Sequence, residues 1–175
     1  MACNISSGRK VPCKSAVGGI KTIYLADYGT LGDATIVEGE ITLLSGTPDF
    51  FKFDVKGASS LETAINSSRE NGTTFYESTL TMALTFQDKA TQEQLKLITH
   101  ARPHVAIEDY NGNFFLIGLD HGAEVTGGSI TSGAAMGDAS GYNLTIVAQE
   151  TVPPYFITGS VITAAASAVQ IDPTA

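Results

Sequence analysis

The sequence predicts an all-β fold: an antiparallel β-sandwich or partly open barrel with one flanking α-helix and a long β-hairpin. Three observations predict it. Alternation of apolar and polar residues with a period of two recurs along the chain, and a single stretch has helical periodicity. Clusters of Gly, Pro, Asn and Asp separate these runs at short intervals, which favours antiparallel neighbours. The longest alternating stretch, residues 50–87, reads as two arms around Asn71-Gly72, a pair that tolerates positive φ at low cost.

Taken in order, residues 1–19 hold Gly8, Pro12, Gly18 and Gly19 with little periodicity and read as an irregular arm, with Val11, Cys13 and Val17 as apolar handles for docking on a neighbour. Residues 20–26 alternate as a strand. Residues 27–33 are a loop by their Gly and Asp content. A second strand spans 35–44, interrupted at Gly39, and the turn 45–49 leads into the hairpin.

In the first arm of the hairpin, Phe51, Phe53, Val55, Leu61 and Ile65 fall on one side and Lys52, Asp54, Lys56, Ser60, Glu62 and Asn66 on the other. In the second arm, Tyr76, Ser78, Leu80, Met82, Leu84 and Phe86 oppose Glu77, Thr79, Thr81, Ala83, Thr85 and Gln87. Arms of about 14 residues reach roughly 45 Å, against about 5 or 6 residues for an ordinary strand. Gly57 and the small residues Ala58, Ser59 and Ser60 suggest a bend in the first arm. The expectation is a ribbon that projects past its own core and is completed edge to edge by other copies, or else a solvent-facing hairpin in a sandwich.

Beyond Gln87 the period changes. Residues 88–101 read as a helix, with Thr91 and Gln94 in capping-box spacing, Leu95, Ile98 and Ala101 on one face, and Pro103 as the stop. Residues 104–109 and 114–120 form a hairpin around Asn111-Gly112, with Phe115, Ile117 and Leu119 sharing a face. Residues 121–140 are too rich in glycine for a regular strand and read as a loop that packs closely on another backbone. Residues 142–149 alternate cleanly, Pro153-Pro154 ends that strand, and 155–157 make a last short contact. The tail 158–175 is an extension, either flexible or lying on a neighbour.

Length and charge bound the function. The 175 residues fit one domain, 1–175, with no run approaching the roughly 20 apolar residues of a membrane span, so no membrane partner is expected. No apolar signal-type segment opens the chain, which predicts cytosolic synthesis. Net charge is −8 with a pI near 4.7, and the ten cations form no cluster. Wrapping a nucleic acid from outside is disfavoured, because that affinity comes from cations on phosphates. Cys3 and Cys13 match no zinc spacing and are expected to be reduced.

Catalytic signatures are weak, and neither an enzyme nor a cofactor is expected. His100 and His104 have zinc-helix spacing, but Pro103 interrupts the helix that spacing needs. Asp120-His121 has no nucleophile context. Glu108 and Asp109 are adjacent on a strand and point to opposite faces, which spoils a glycosidase pair with Glu124. The glycines from 127 to 137 lack the Lys-Ser/Thr of a phosphate loop. A carbohydrate-binding or hydrolytic β-sandwich stays open as a different class of function.

Several phrases resemble structural proteins of tailed bacteriophages. They are Ser59-Ser60-Leu61-Glu62-Thr63, residues 66–75, Gly112-Asn113-Phe114-Phe115 through Gly118, His121-Gly122-Ala123, Thr126-Gly127-Gly128 and residues 133–142. Together they span most of 8–157, and the chain is most similar to the tail tube family. The resemblance implies a small β-sandwich with one flanking helix, six copies closed into a ring, and stacked rings that conduct DNA without binding it specifically. The partners would be other copies and other tail proteins. The location would be the virion, after assembly in the bacterial cytoplasm. A neck, connector or baseplate ring is the alternative within the same class. Glu62, Glu77, Thr79, Thr81 and Thr85 would face the bore, although alternation does not say which face of the ribbon lines it. The turn Gly46, Thr47, Pro48 and Asp49, with the two termini, would make contacts between rings. No extra immunoglobulin-like domain of the kind many long-tail tube proteins carry is present.

Overall fold

A computed structural model describes residues 7–11, 13–55, 58–166 and 170–171. The chain is mostly β. Its elements are β1 (Ile20–Ala26), β2 (Ala34–Val37), β3 (Glu40–Leu44), β4 (Phe51–Asp54), β5 (Ser60–Ser68), β6 (Thr73–Thr85), α1 (Lys89–His100), β7 (His104–Asp109), β8 (Phe114–Ile117), β9 (Glu124–Thr131), β10 (Gly141–Glu150), β11 (Tyr155–Ile157) and α2 (Gly159–Ala164). They form a seven-stranded sheet, β2-β3-β11-β8-β7-β1-β4, and a four-stranded sheet, β5-β6-β10-β9. Neither sheet closes on itself. All pairings between these strands are antiparallel except β11 with β3, and an isolated parallel bridge joins Phe50 to Ala166.

Two cores hold these layers. The first lies between the sheets. Leu80, Met82 and Ile146 from the small sheet meet Ile23, Val105 and Ile107 from the large one, and Leu95 of α1 covers one side. Six of these seven side chains are at most 1 % exposed, and full burial of one such side chain contributes about 1.5–3 kcal/mol. The second core lies on the other face of the large sheet, where Tyr24, Ala106 and Leu116 meet Ile41, Phe50, Ile157 and Ile162. Strands β1 and β7 are therefore buried on both faces. A break in register between Ile20 and Thr22 lets Ile20 join the first core together with Ile23.

The predicted first arm of the hairpin is not one strand. Residues 51–54 pair with β1 in the large sheet, while 60–68 pair with β6 in the small one. The chain crosses between sheets, with Val55 buried and Ser59 Oγ accepting the Ala83 N–H at 3.1 Å. Gly57 and Lys56 lie outside the described residues. Alternation survives the crossing because Phe53 of β4 and Leu61 of β5 both pack against the first core. Nor does the ribbon need another copy to bury its apolar side, since β6 sits between β5 and β10 over its own core. Only the tip overhangs: Ile65 is 67 % exposed and β6 outruns β10 beyond Tyr76.

Other expectations are corrected too. Phe86 does not extend the apolar face; at φ 72° the chain leaves the strand there. Helix α1 is capped by Asp88, whose Oδ2 accepts the Thr91 N–H at 2.9 Å, rather than by Thr91. Leu119 joins the second core, because Gly118 at φ 71° turns the chain after Ile117. Residues 124–131 form a strand despite Gly127 and Gly128. The segment after 158 begins with a second helix, whose Ile162 is fully buried, and the Phe50 N–H donates to Ala165 O at 2.9 Å. That part of the tail packs on its own chain.

Candidate functional site

The outward face of the small sheet gathers all five residues predicted to face a bore. Register places Glu62 opposite Thr79, Ser60 and Thr145 either side of Thr81, and Gln149 beside Glu77. Thr85, opposite Gly141, ends the row. Because successive strand residues point to opposite faces, Glu62, Glu77, Thr79, Thr81 and Thr85 all lie away from Leu80 and Met82, which are buried. Asn143, Thr145 and Gln149 of β10 and Ser129 and Thr131 of β9 extend the same face. Sequence reasoning missed the β9 part, because its glycines were read as a loop. Gly128 is there for close approach: a Cβ at that position would lie 2.6 Å from Asn143 O.

The chemistry of this face is mostly polar. It presents hydroxyls, amides and carboxylates with Ala64, Phe75, Ala83 and Val147 among them, and β5, β6, β9 and β10 contain no Lys, Arg or His. Glu77 is held along the sheet by the Gln149 amide, Nε2 to Oε2 2.6 Å, so a neutral donor keeps it in place and its charge is not cancelled. A face of this kind offers a polyanion no cationic anchor.

Among the described residues both edges of the sheet are open: β5 pairs only with β6, and β9 only with β10. Each edge strand carries an exposed isoleucine on the side that faces the core: Ile65 on β5 and Ile130 on β9, 67 % and 61 % exposed. The strands alternate in direction across the sheet, so β5 and β9 run antiparallel to one another.

The predicted contact turn 46–49 is only half available. Gly46 donates its N–H to Leu31 O at 2.9 Å and Pro48 is buried, whereas Thr47 and Asp49 are exposed. The N-terminal arm, 7–11 and 13–18, is exposed along its length, and Val17 is tied through N and O to the side chain of Asn111. Cys13 is a free, exposed thiol.

The groups considered for catalysis are engaged elsewhere. His104 is buried, stacked on Tyr28 at 5.2 Å, and bonded through Nδ1 to Gly118 O at 2.5 Å and through Nε2 to the Gly29 N–H at 3.0 Å. Burial pushes its pKa below the usual imidazole value. Glu108 pairs with Lys21, and Asp109 accepts the backbone N–H groups of Asn111 and Asn113 within its hairpin turn. The His121 N–H, with that of Asp120, donates to Glu150 Oε1 at 3.0 Å. Glu124 lies 3.7 Å from Arg102. Among the described residues no cluster of His, Cys, Asp and Glu has the geometry of a metal site. Comparison of the chain with protein-family models, with curated proteins and with solved structures finds no match.

Proposed function

We propose that this chain is the subunit of a bacteriophage tail tube: a β-sandwich whose four-stranded sheet joins those of neighbouring copies into a ring around a DNA conduit. One observation carries the proposal. A sheet with a cation-free outward face has two open edges of opposite direction, each with an exposed isoleucine on its inner side. β9 of one copy laid against β5 of the next continues the antiparallel order, covers Ile65 and Ile130, and removes the unpaired edges that otherwise template aggregation.

Magnitudes agree with a conduit. Six copies, the number the phage resemblance implies, give about 24 strands; at about 4.8 Å spacing the circumference is roughly 115 Å and the backbone diameter about 37 Å before strand tilt widens it. Glu62, Glu77, Thr79, Thr81 and Thr85 then line the bore. DNA passes quickly because a face without cations gives its phosphates no charged anchor and no counterions to release, while carboxylates repel them. Assembly belongs to the bacterial cytoplasm and the product to the virion.

Electron microscopy of the purified protein at high concentration tests this. Rings or tubes with a central bore are expected. A protein that stays monomeric, forms no rings and is missing from virions overturns the proposal.

A further inference from the structure

We propose that the groove between β4 and α1 receives the N-terminal arm of a second copy of this chain. Among the described residues β4, the last strand of the large sheet, pairs only with β1; Phe50 just before it bridges Ala166, and Gln170 and Ile171 of the same chain lie along the groove, which leaves the outer edge of residues 51–54 beside it. The groove encloses about 850 Å³. Its apolar surface includes Phe51, Phe86 and Leu97, which are 40 %, 43 % and 62 % exposed. Asp27, Asp54 and Asp88 also line it, against one cation, Lys52, which is spent on Asp54 at 2.9 Å.

The arm has the complementary chemistry. Residues 1–19 contain Arg9, Lys10 and Lys14 and no acid, in a chain whose net charge is −8. Val11 is 96 % exposed and Val17 62 %, so the arm's valines find little cover on their own chain. An extended segment added to an open edge gains main-chain hydrogen bonds, while its side chains supply selectivity. Here Val11 suits the apolar surface and the three cations suit the acids.

The arm does not fill the groove of its own chain: none of its described residues lines it, and a second copy is the partner that brings the two together. It joins β1 at Ile20, where Val17 is tied to the Asn111 turn. The groove lies at the other end of β1, beside Leu25, Ala26 and Asp27. Seven residues of strand, about 23 Å, separate the two ends. A donor at one end and an acceptor at the other make a heterologous contact, which repeats as an open stack when successive copies are displaced along β1. That geometry stacks copies, so the proposal deepens the tube reading and rests on it for the role of the contact.

The test mixes two variants. One is Cys3→Ser, which keeps the native Cys13. The other is Cys3→Ser, Cys13→Ser, Leu97→Cys; Leu97 is exposed, so that chain folds. Oxidation of an equimolar mixture is expected to give a disulfide-linked pair containing one chain of each. Yield should fall about tenfold when Arg9, Lys10 and Lys14 are changed to Glu, and several-fold from low to high salt. Leu43→Cys, exposed on β3 and away from the groove, sets the background. A mixed pair no more abundant than this background overturns the proposal, as does a single Cys3→Ser, Leu97→Cys chain that closes only within itself. Micrographs of the same samples separate the two readings. Rings without the mixed pair sink the arm contact and leave the conduit; the mixed pair without rings sinks the conduit and leaves the arm contact.

Discussion

Gln149 on β10 donates its side-chain N–H to Glu77 on β6, Nε2 to Oε2 2.6 Å, at a point where the two residues face each other directly in register. Both long side chains are thereby held along the sheet, and the carboxylate keeps its charge. The outward face is anionic at this point. Its opposite side is the main core, so consecutive residues of β6 belong to two different environments.

That split gives the first prediction. Leu80 is fully buried, and its neighbour Thr81 faces outward between Ser60 and Thr145. Leu80→Ala is expected to cost about 2–5 kcal/mol by urea unfolding, and Thr81→Ala to stay within about 0.5 kcal/mol. Equal costs would show that the two faces are misassigned.

The glycines of β9 give the second. A Cβ on Gly128 would sit 2.6 Å from Asn143 O, a backbone atom that cannot swing aside, whereas a Cβ on Gly127 meets nothing within 4 Å. Gly128→Ala should therefore destabilise by about 1–3 kcal/mol. Gly127→Ala should be neutral or slightly stabilising, since it restricts the unfolded chain. Thermal melts of the two variants compare them directly.

These positions mark where the fold was legible in the sequence. The strand at Tyr142, Leu144 and Ile146, the Asn111-Gly112 hairpin and the helix around Leu95 were read from periodicity and turn chemistry, because one buried face imposes the pattern. The crossing near Val55 was legible only as a bend at Gly57 and residues 58–60; that the pairing partner changes there was not, because Phe53 before it and Leu61 after it both pack against the main core and alternation runs on. β9 was hidden because Gly128 serves a neighbour's backbone and carries no side-chain pattern. The five outward residues of the hairpin were found from alternation alone. Their partners Asn143, Thr145 and Gln149 needed the pairing of β10 with β6, which no local pattern encodes.

A third prediction concerns pH. His104 holds one proton: Nδ1–H donates to Gly118 O, and Nε2 accepts from the Gly29 N–H. A second proton would point at a donor. Burial is the largest cause of the lowered pKa, opposed by the Gly118 carbonyl and by Glu150. The unfolded chain takes up that proton near 6.5 and the folded chain resists it. Stability is therefore full above pH 6.5 and falls as pH drops from there towards the folded value. The urea midpoint should be lower at about pH 5 than at about pH 7.5, with the loss setting in below about 6.5. His104→Gln, which does not titrate, should flatten that decline. Asp88, Asp109 and Asp138, whose pKa values are also lowered, add losses of the same sign only below about 3.8.

Helix α1 supplies a fourth. Asp88 accepts the Thr91 N–H, and the Thr91 side chain and backbone hold its carboxyl below the usual range. Asp88→Ala should cost about 1 kcal/mol, and Asp88→Ser should recover most of it. Because α1 carries Leu95 into the main core, the loss should appear in global unfolding and not as helix fraying alone.

The last prediction tests the wall itself. Thr79→Lys, Thr81→Lys and Gln149→Lys put three cations on a face that has none. All three side chains project away from the core, so the fold should tolerate each change within about 0.5 kcal/mol. In assembled protein the same cations recur in every copy around the bore. Each phosphate neutralised steepens the fall of log K with log salt by about 0.9 for duplex DNA. The triple variant should therefore retain labelled duplex in co-sedimentation at about 50 mM salt and release it by about 200 mM. The unmodified protein should retain none at either salt. Retention by the unmodified protein would mean that DNA finds an anchor elsewhere on the assembly. Failure of the triple variant to bind, with rings still visible, would mean that this face does not meet the DNA at all.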